Sequence, residues 1–220
     1  MHLLAVLAKS SQALYSTGDS VALVAFLRTA LRDVYDNIAN AEMAAAEAAL
    51  RSAASSPCPE QYVRTALHSL YKVYALYEGL QHQTIERKVA FVFPVVEDLI
   101  QDKTTLNNRL LELAMIIARH HVDIGERENA LHWRKVALNR LPVWVESRTR
   151  HLTAENLWED ESLVWVSTWE SRSTTCSGEP TWYTHRRYHF TAAGRARVEQ
   201  AKDAASREVT SVFEELGLDC

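Results

Sequence analysis

Residues 21–54, VALVAFLRTALRDVYDNIANAEMAAAEAALRSAA, decide the fold. Within them Val24, Leu27, Leu31, Val34, Ile38, Ala41, Ala45 and Ala48 follow one another at spacings of three and four. That rhythm places all eight on one side of an α-helix, as a heptad-like seam. No glycine or proline interrupts the run. The stretch therefore predicts a helix from Val21 to Ala54, roughly 50 Å long at 1.5 Å per residue. Toward its end the seam shrinks to alanine, which lets a partner backbone come close. Glu47 and Arg51 stand four apart, in the order that favours an exposed ion pair.

Ser55-Ser56-Pro57-Cys58-Pro59 ends this helix. The same spacing then resumes with Val63, Ala66, Leu70, Val73, Tyr77 and Leu80. Two long helices with matching seams and a short proline-rich link predict an antiparallel hairpin. A hairpin alone buries too little, so more helices are expected. Ile85, Val89, Val92, Val96 and Leu99 supply one, bent or restarted at Pro94. Leu106, Leu110, Leu113 and Ile117 supply another, with Lys103-Thr104 near its start. Ala130, Trp133, Ala137 and Leu141 supply a third, between Gly125 and Pro142. At the other end, residues 2–16 have helical composition and stop at Thr17-Gly18-Asp19-Ser20. The expected body is a helical bundle over residues 1–142, with residues 143–220 as a second region.

Composition agrees with a globular, mainly helical chain. Of 220 residues, 47% are hydrophobic and 24% charged, with a formal charge of −4, which excludes a disordered class. Six Gly and five Pro are too few for an all-β fold full of tight turns. No apolar run reaches the roughly 20 residues that span a bilayer, so no membrane association is expected. The opening Met-His-Leu-Leu-Ala-Val-Leu-Ala lacks the basic start of a signal peptide. Cys58, Cys176 and Cys220 are odd in number and far apart, which suits a reducing, cytoplasmic interior rather than disulfides or a CxxC metal site.

The character of the chain changes near residue 143. Leu163-Val164-Trp165-Val166-Ser167-Thr168-Trp169 and Thr181 through Phe190 are rich in β-branched and aromatic residues. Between them lies the polar, turn-rich stretch Ser171–Pro180. We expect two antiparallel strands with a long tip. Along the second strand Trp182, Thr184, Arg186, Tyr188 and Phe190 share one face, and Tyr183, His185, Arg187 and His189 the other. Thr191 caps a final helix with Val198, Ala201, Ala205, Val209, Val212 and Leu216, ending at Gly217. Arg195 and Arg197 lie on its first turns, and no acidic residue occurs from Pro180 to Val198. This basic, aromatic patch suits a protein partner or nucleic acid. Its arginines can also pair internally with Glu155, Glu159, Asp160 and Glu161.

Two segments resemble known families. Ala118, Gly125, Ala130, Ala137 and Pro142 fall where a tetratricopeptide repeat has small residues at its helix crossing, an inter-helix turn and a closing proline. That resemblance covers residues 114–142 and implies a helical pair. Arg186-Arg187-Tyr188-His189-Phe190-Thr191-Ala192-Ala193-Gly194-Arg195 resembles the junction between the wing and the last helix of PadR-like winged-helix regulators. It implies helices at 126–140, 143–150 and 153–159, the last capped by Thr153, and DNA binding.

Motifs for chemistry are sparse. His120, His121, Asp123, Glu126, Glu128 and His132 fall within thirteen residues, without an HExxH or paired ExxH signature. One of the two adjacent histidines continues the apolar stripe of Leu113 and Ile117. Arg127 and His132 have the Arg-x4-His spacing of HEPN-type ribonucleases, where His moves a proton and Arg meets phosphate. No G-x-S-x-G, P-loop or G-x-G-x-x-G occurs. The expected function is accordingly a non-catalytic interaction or regulatory protein with no metal or cofactor. Its surface is formed by Trp182, Tyr183, His185, Arg186, Arg187, His189, Arg195 and Arg197, and the long seam favours a homodimer. A winged-helix DNA-binding regulator is the alternative, and an HEPN-like ribonuclease the third.

Overall fold

The computed structural model describes residues 20–86, 94–174 and 180–218, with the side chains of 20–32, 82–86, 94–103, 174, 180 and 181 left aside. The expected helix at 2–16, the stop at Thr17-Gly18-Asp19, Val89 and Val92, Cys176 in the hairpin tip and Cys220 lie outside the described residues. The chain is mainly helical. Helices α1 (Ser20–Ser55), α2 (Pro59–Glu86), α3 (Pro94–Asp123) and α4 (Arg127–Thr149) come first. Strands β1 (Val164–Thr174) and β2 (Pro180–Phe190) and helix α5 (Ala192–Glu215) follow. The chain divides into two compact units, Met1–Lys135 and Val136–Cys220, with the division falling inside α4. Among the described residues no helix is long and apolar enough to cross a membrane.

In the first unit α1 and α2 form the expected hairpin. Pro59 opens α2 and Pro94 opens α3, positions where a missing N–H costs nothing. The predicted α2 seam is buried from Val63 through Ala66, Leu70 and Val73 to Tyr77, joined by Leu67 and Tyr74. Leu110, Leu113 and Ile117 of α3 are buried as predicted, with Leu111, Ala114 and Ala118 beside them. Burying a leucine such as Leu110, at 0% exposure, stabilises the unit by about 1.5–3 kcal/mol. Lys72 reaches Glu42 across the hairpin at 2.9 Å, and Arg109 of α3 reaches Asp36 of α1 at 3.1 Å.

Val24, Leu27 and Leu31 of the predicted α1 seam lie outside the described side chains, and from Ile38 onward the buried residues differ from the predicted ones. Ala39, Ala46, Ala49 and Ala53 are buried, whereas Ile38 is 46% exposed and Ala41, Ala45 and Ala48 are exposed. Alanines occupy several faces of this helix, so spacing alone does not choose among them. The two helices expected around Leu99 and Leu106 are one continuous helix, α3, because Lys103-Thr104 offers neither Gly nor Pro to break it. Helix α4 runs through Pro142 to Thr149 instead of stopping before it. Pro142 is exposed, so the helix loses one backbone hydrogen bond on a side where water can serve the freed carbonyl.

The α3–α4 turn is closed by Gly125 at φ 74°, a conformation that disfavours residues with a Cβ. Gly125 N–H donates to the Val122 carbonyl at 3.0 Å and Glu126 N–H to the His121 carbonyl at 2.8 Å. This paired pattern satisfies two carbonyls at the end of α3. The end of α5 repeats it: Gly217 donates to Glu214 and Leu218 to Phe213. Phe213 and Leu218, the two residues joined by the outer of these bonds, are both buried.

In the second unit β1 and β2 form a two-stranded antiparallel sheet, paired without a break from Val164↔Phe190 to Thr174↔Pro180. Strand β1 extends to Thr174, so much of the stretch expected as a polar loop is strand. Its serines and threonines fit a pleated ladder as well as a turn, and β2 supplies a partner for each. Residues 153–159 form turns, not the helix expected from the winged-helix resemblance, and 143–150 belongs to α4. Thr153 does cap, but only a turn, accepting from Asn156 N–H at 3.2 Å.

Candidate interaction surface

Among the described residues the ribbon packs at its base. Leu163 and Val164 join Ala154 in a small core, against which Leu157, Tyr188 and Phe190 are partly buried. Thr191 locks that base to α5. Its hydroxyl accepts from Gly194 N–H at 3.1 Å and reaches the Ser162 and Leu163 carbonyls at 2.6 and 3.1 Å. Its own N–H donates to the Leu163 carbonyl at 2.8 Å. The expected Thr191 cap is thus present, and the glycine three residues on has a reason. A Cβ on Gly194 would stand 2.1 Å from the Leu163 carbonyl oxygen.

Beyond the base the side chains lie open. Trp165, Trp169, Trp182 and Tyr183 are 53%, 48%, 63% and 50% exposed. The register sets two different faces. One carries Trp165, Ser167, Trp169 and Ser171 from β1 opposite His189, Arg187, His185 and Tyr183 from β2. Here Trp165 stacks on His189 at 4.1 Å between ring centres, and Trp169 on His185 at 5.3 Å. Each imidazole Nε2 also meets a serine hydroxyl, His189 with Ser167 at 2.9 Å and His185 with Ser171. The other face carries Val166, Thr168, Glu170 and Arg172 with Trp182, Thr184, Arg186 and Tyr188.

The register separates the residues that the sequence groups into one patch. Tyr183, His185, Arg187 and His189 stand together on the stacked face, while Trp182 and Arg186 stand on the opposite one. Arg195 lies at the base, where its guanidinium donates to the Phe190 carbonyl at 3.0 Å. Arg197 lies near Asp160, whose carboxyl sits below its usual range. Hydrogen bonds from Ser162 are the main cause, and the Arg197 charge adds to them. The β1 contribution, Trp165 and Trp169 above all, was absent from the expected surface. The alternation W-x-S-x-W-x-S opposite Y-x-H-x-R-x-H was its signal in the sequence.

A second cluster lies in the helical unit. His121 is 3% exposed, with Nδ1 at 2.8 Å from Glu126 Oε2 and Nε2 bonded to the Tyr71 hydroxyl. Tyr71 stacks on Trp133 at 5.5 Å, and Tyr74 meets the same indole edge-on at 4.9 Å. Glu126 also accepts from Asn129 at 2.9 Å and from Arg64, which itself bonds Glu60. Asn129 and Arg64 hold the Glu126 carboxyl down at about 2, and His121 adds to them. Burial pushes the Tyr71 phenol up. An ionised carboxylate only accepts, so Nδ1–H of His121 donates to it and Nε2 is left for the phenol. The cluster therefore pins α2, α3 and the α3–α4 turn together.

The remaining residues named for chemistry stand apart from this cluster. His120 pairs with Asp123 at 2.9 Å. Arg127 and His132 are both exposed on α4, about 140° apart around it at 3.6 residues per turn. Ala118, Ala130 and Ala137, the small residues of the tetratricopeptide resemblance, are all fully buried. Among the described residues no three His, Cys, Asp or Glu side chains gather to hold a metal ion. No protein-family model, no curated protein and no solved structure matches the chain.

Proposed function

We propose that this chain is a non-catalytic interaction protein, an adaptor, inhibitor or accessory subunit, that contacts a protein partner through its β-ribbon. The observation that carries this reading is the exposure of three tryptophans and a tyrosine on a two-stranded sheet. Aromatic side chains are costly to leave in water and dominate binding energy once covered. Arg186 and Arg187 are exposed beside them, one on each face, and supply directional polar contacts. Duplex-DNA binding remains the alternative, on the strength of the acid-free run from Pro180 to Val198. Cations divided between two faces support phosphate contacts less than aromatic burial, because backbone affinity grows with the number of phosphates neutralised together.

Affinity capture from native lysate, with and without nuclease, tests the choice. A protein partner retained after nuclease and lost from a Trp182→Ala/Arg187→Ala variant is the expected result. Loss on nuclease treatment alone would transfer the ribbon to nucleic acid. Capture by the parent chain and the variant to the same extent would remove the ribbon as the contact surface. Both substituted side chains are exposed, so the fold should be unchanged.

A further inference from the structure

We propose that the outer edge of β1 pairs with β1 of a second copy of this chain, antiparallel, about a two-fold axis through Ser171. The sheet has only two strands, so each strand has one unpartnered edge. Among the described residues no backbone hydrogen bond reaches Trp165–Thr174 except from β2. Natural sheets protect such edges with Pro, Lys, bulges or short strands. Strand β1 has none of these: it is eleven residues long, contains neither Pro nor Lys, and keeps register throughout. Strand β2 opens on Pro180, which has no N–H for a further strand, and carries two adjacent charges of one sign, Arg186 and Arg187, whereas the two β1 charges, Glu170 and Arg172, are opposite in sign.

The β1 sequence fits itself. Glu170 and Arg172 flank Ser171 on one face of the strand. A two-fold axis through Ser171 sets each Glu170 directly opposite Arg172 of the other copy, twice over. On the opposite face it sets Trp169 against Ser173 and beside Ser171, small side chains that leave room for a half-exposed indole. Opposite charges facing each other across strands are favourable pairs. Neither charge is spent at home: within the ribbon Glu170 faces Thr184 and Arg172 faces Trp182. No ion pair to either is present among the described residues. An edge that pairs with its own copy makes a closed, isologous dimer. The dimer contact runs along the β1 edge and leaves the β2 side of each face, with Trp182, Tyr183, Arg186 and Arg187, open to the partner proposed above.

The test uses the purified full chain alone, which keeps it independent of any partner. Sedimentation equilibrium should give a dimer. Glu170→Arg should raise its dissociation constant about tenfold by placing like charges opposite each other at two symmetric points. The double charge swap Glu170→Arg/Arg172→Glu should restore it. Unchanged far-ultraviolet circular dichroism shows that the exposed substitutions leave the fold intact. A chain that is monomeric at every concentration overturns the proposal. So does a dimer indifferent to Glu170→Arg, or one that the double swap fails to rescue.

Discussion

Among the described residues lie two aromatic–histidine clusters that share residue types and differ in their surroundings. Around His121, Tyr71 and Trp133 stack where three helices, α2, α3 and α4, meet, and both imidazole nitrogens are occupied. On the ribbon, His185 and His189 stack on Trp169 and Trp165, which stand about half exposed. The first cluster is covered because α2, α3 and the following turn surround it on several sides. The second is open because a two-stranded sheet has no further layer beyond its base. The same side chains thus serve as internal pins in one place and as a contact surface in the other. What separates them is the number of elements that converge, not the chemistry of the residues.

The contrast can be broken or sharpened by substitution. The largest effect is expected in the closed region. Leu110→Ala removes a fully buried side chain and should destabilise the helical unit by about 3 kcal/mol, read from the shift in a urea transition. The same transition should leave the ribbon tryptophans as exposed to quenching as before. The next effect falls at the point where the open region is anchored. Gly194→Ala drives a Cβ against the Leu163 carbonyl and should cost about 2 kcal/mol in the ribbon-bearing unit. Limited proteolysis should then cut near residues 160–163 sooner than in the parent chain. Indifference to this change would mean that the ribbon is held by something other than its base.

The smallest effect concerns the charge that holds the closed cluster. Glu126 titrates at about 2 in the folded chain, below an unfolded value of 4.5. A depressed carboxylate stabilises the fold fully above pH 4.5, and that contribution fades as pH falls toward about 2. Glu126→Gln removes the ionisation, so its stability curve should be flatter than the parent's across that window. Thermal midpoints measured between the two values check the slope. Parallel curves would show that Glu126 is not held by Asn129 and Arg64 as described.

Much of the architecture was legible in residue spacing. The α2 seam from Val63 to Tyr77 is buried as its three-four rhythm requires, because large side chains mark only one face. From Ile38 onward the buried face of α1 differs from the predicted one for the opposite reason: Ala39, Ala41, Ala45, Ala46, Ala48 and Ala49 point in several directions, and α2 chooses among them. Pro142 read as a helix end because proline removes a donor, yet on an exposed side that loss is bearable. Ser171–Thr174 read as loop because Ser and Thr serve turns and strands alike, and pairing with β2 decided the matter. The division of the aromatic residues between two faces followed from strand alternation. The Trp–His stacks did not, since they depend on a cross-strand register that no single strand contains.

The sequence alone fixed the helical body, the ribbon, the Thr191 cap and the glycine turn at Gly125, because each rests on local periodicity or on backbone conformations that few residues tolerate. Tertiary structure decided which alanines face inward and which histidine becomes a pin between Tyr71 and Glu126. It also decided that Trp165 and Trp169 stack on His189 and His185 across the ribbon, while Arg195 stays at the base. Those outcomes turn on which elements meet and in what register, and that information lies between segments of the chain rather than within any one of them.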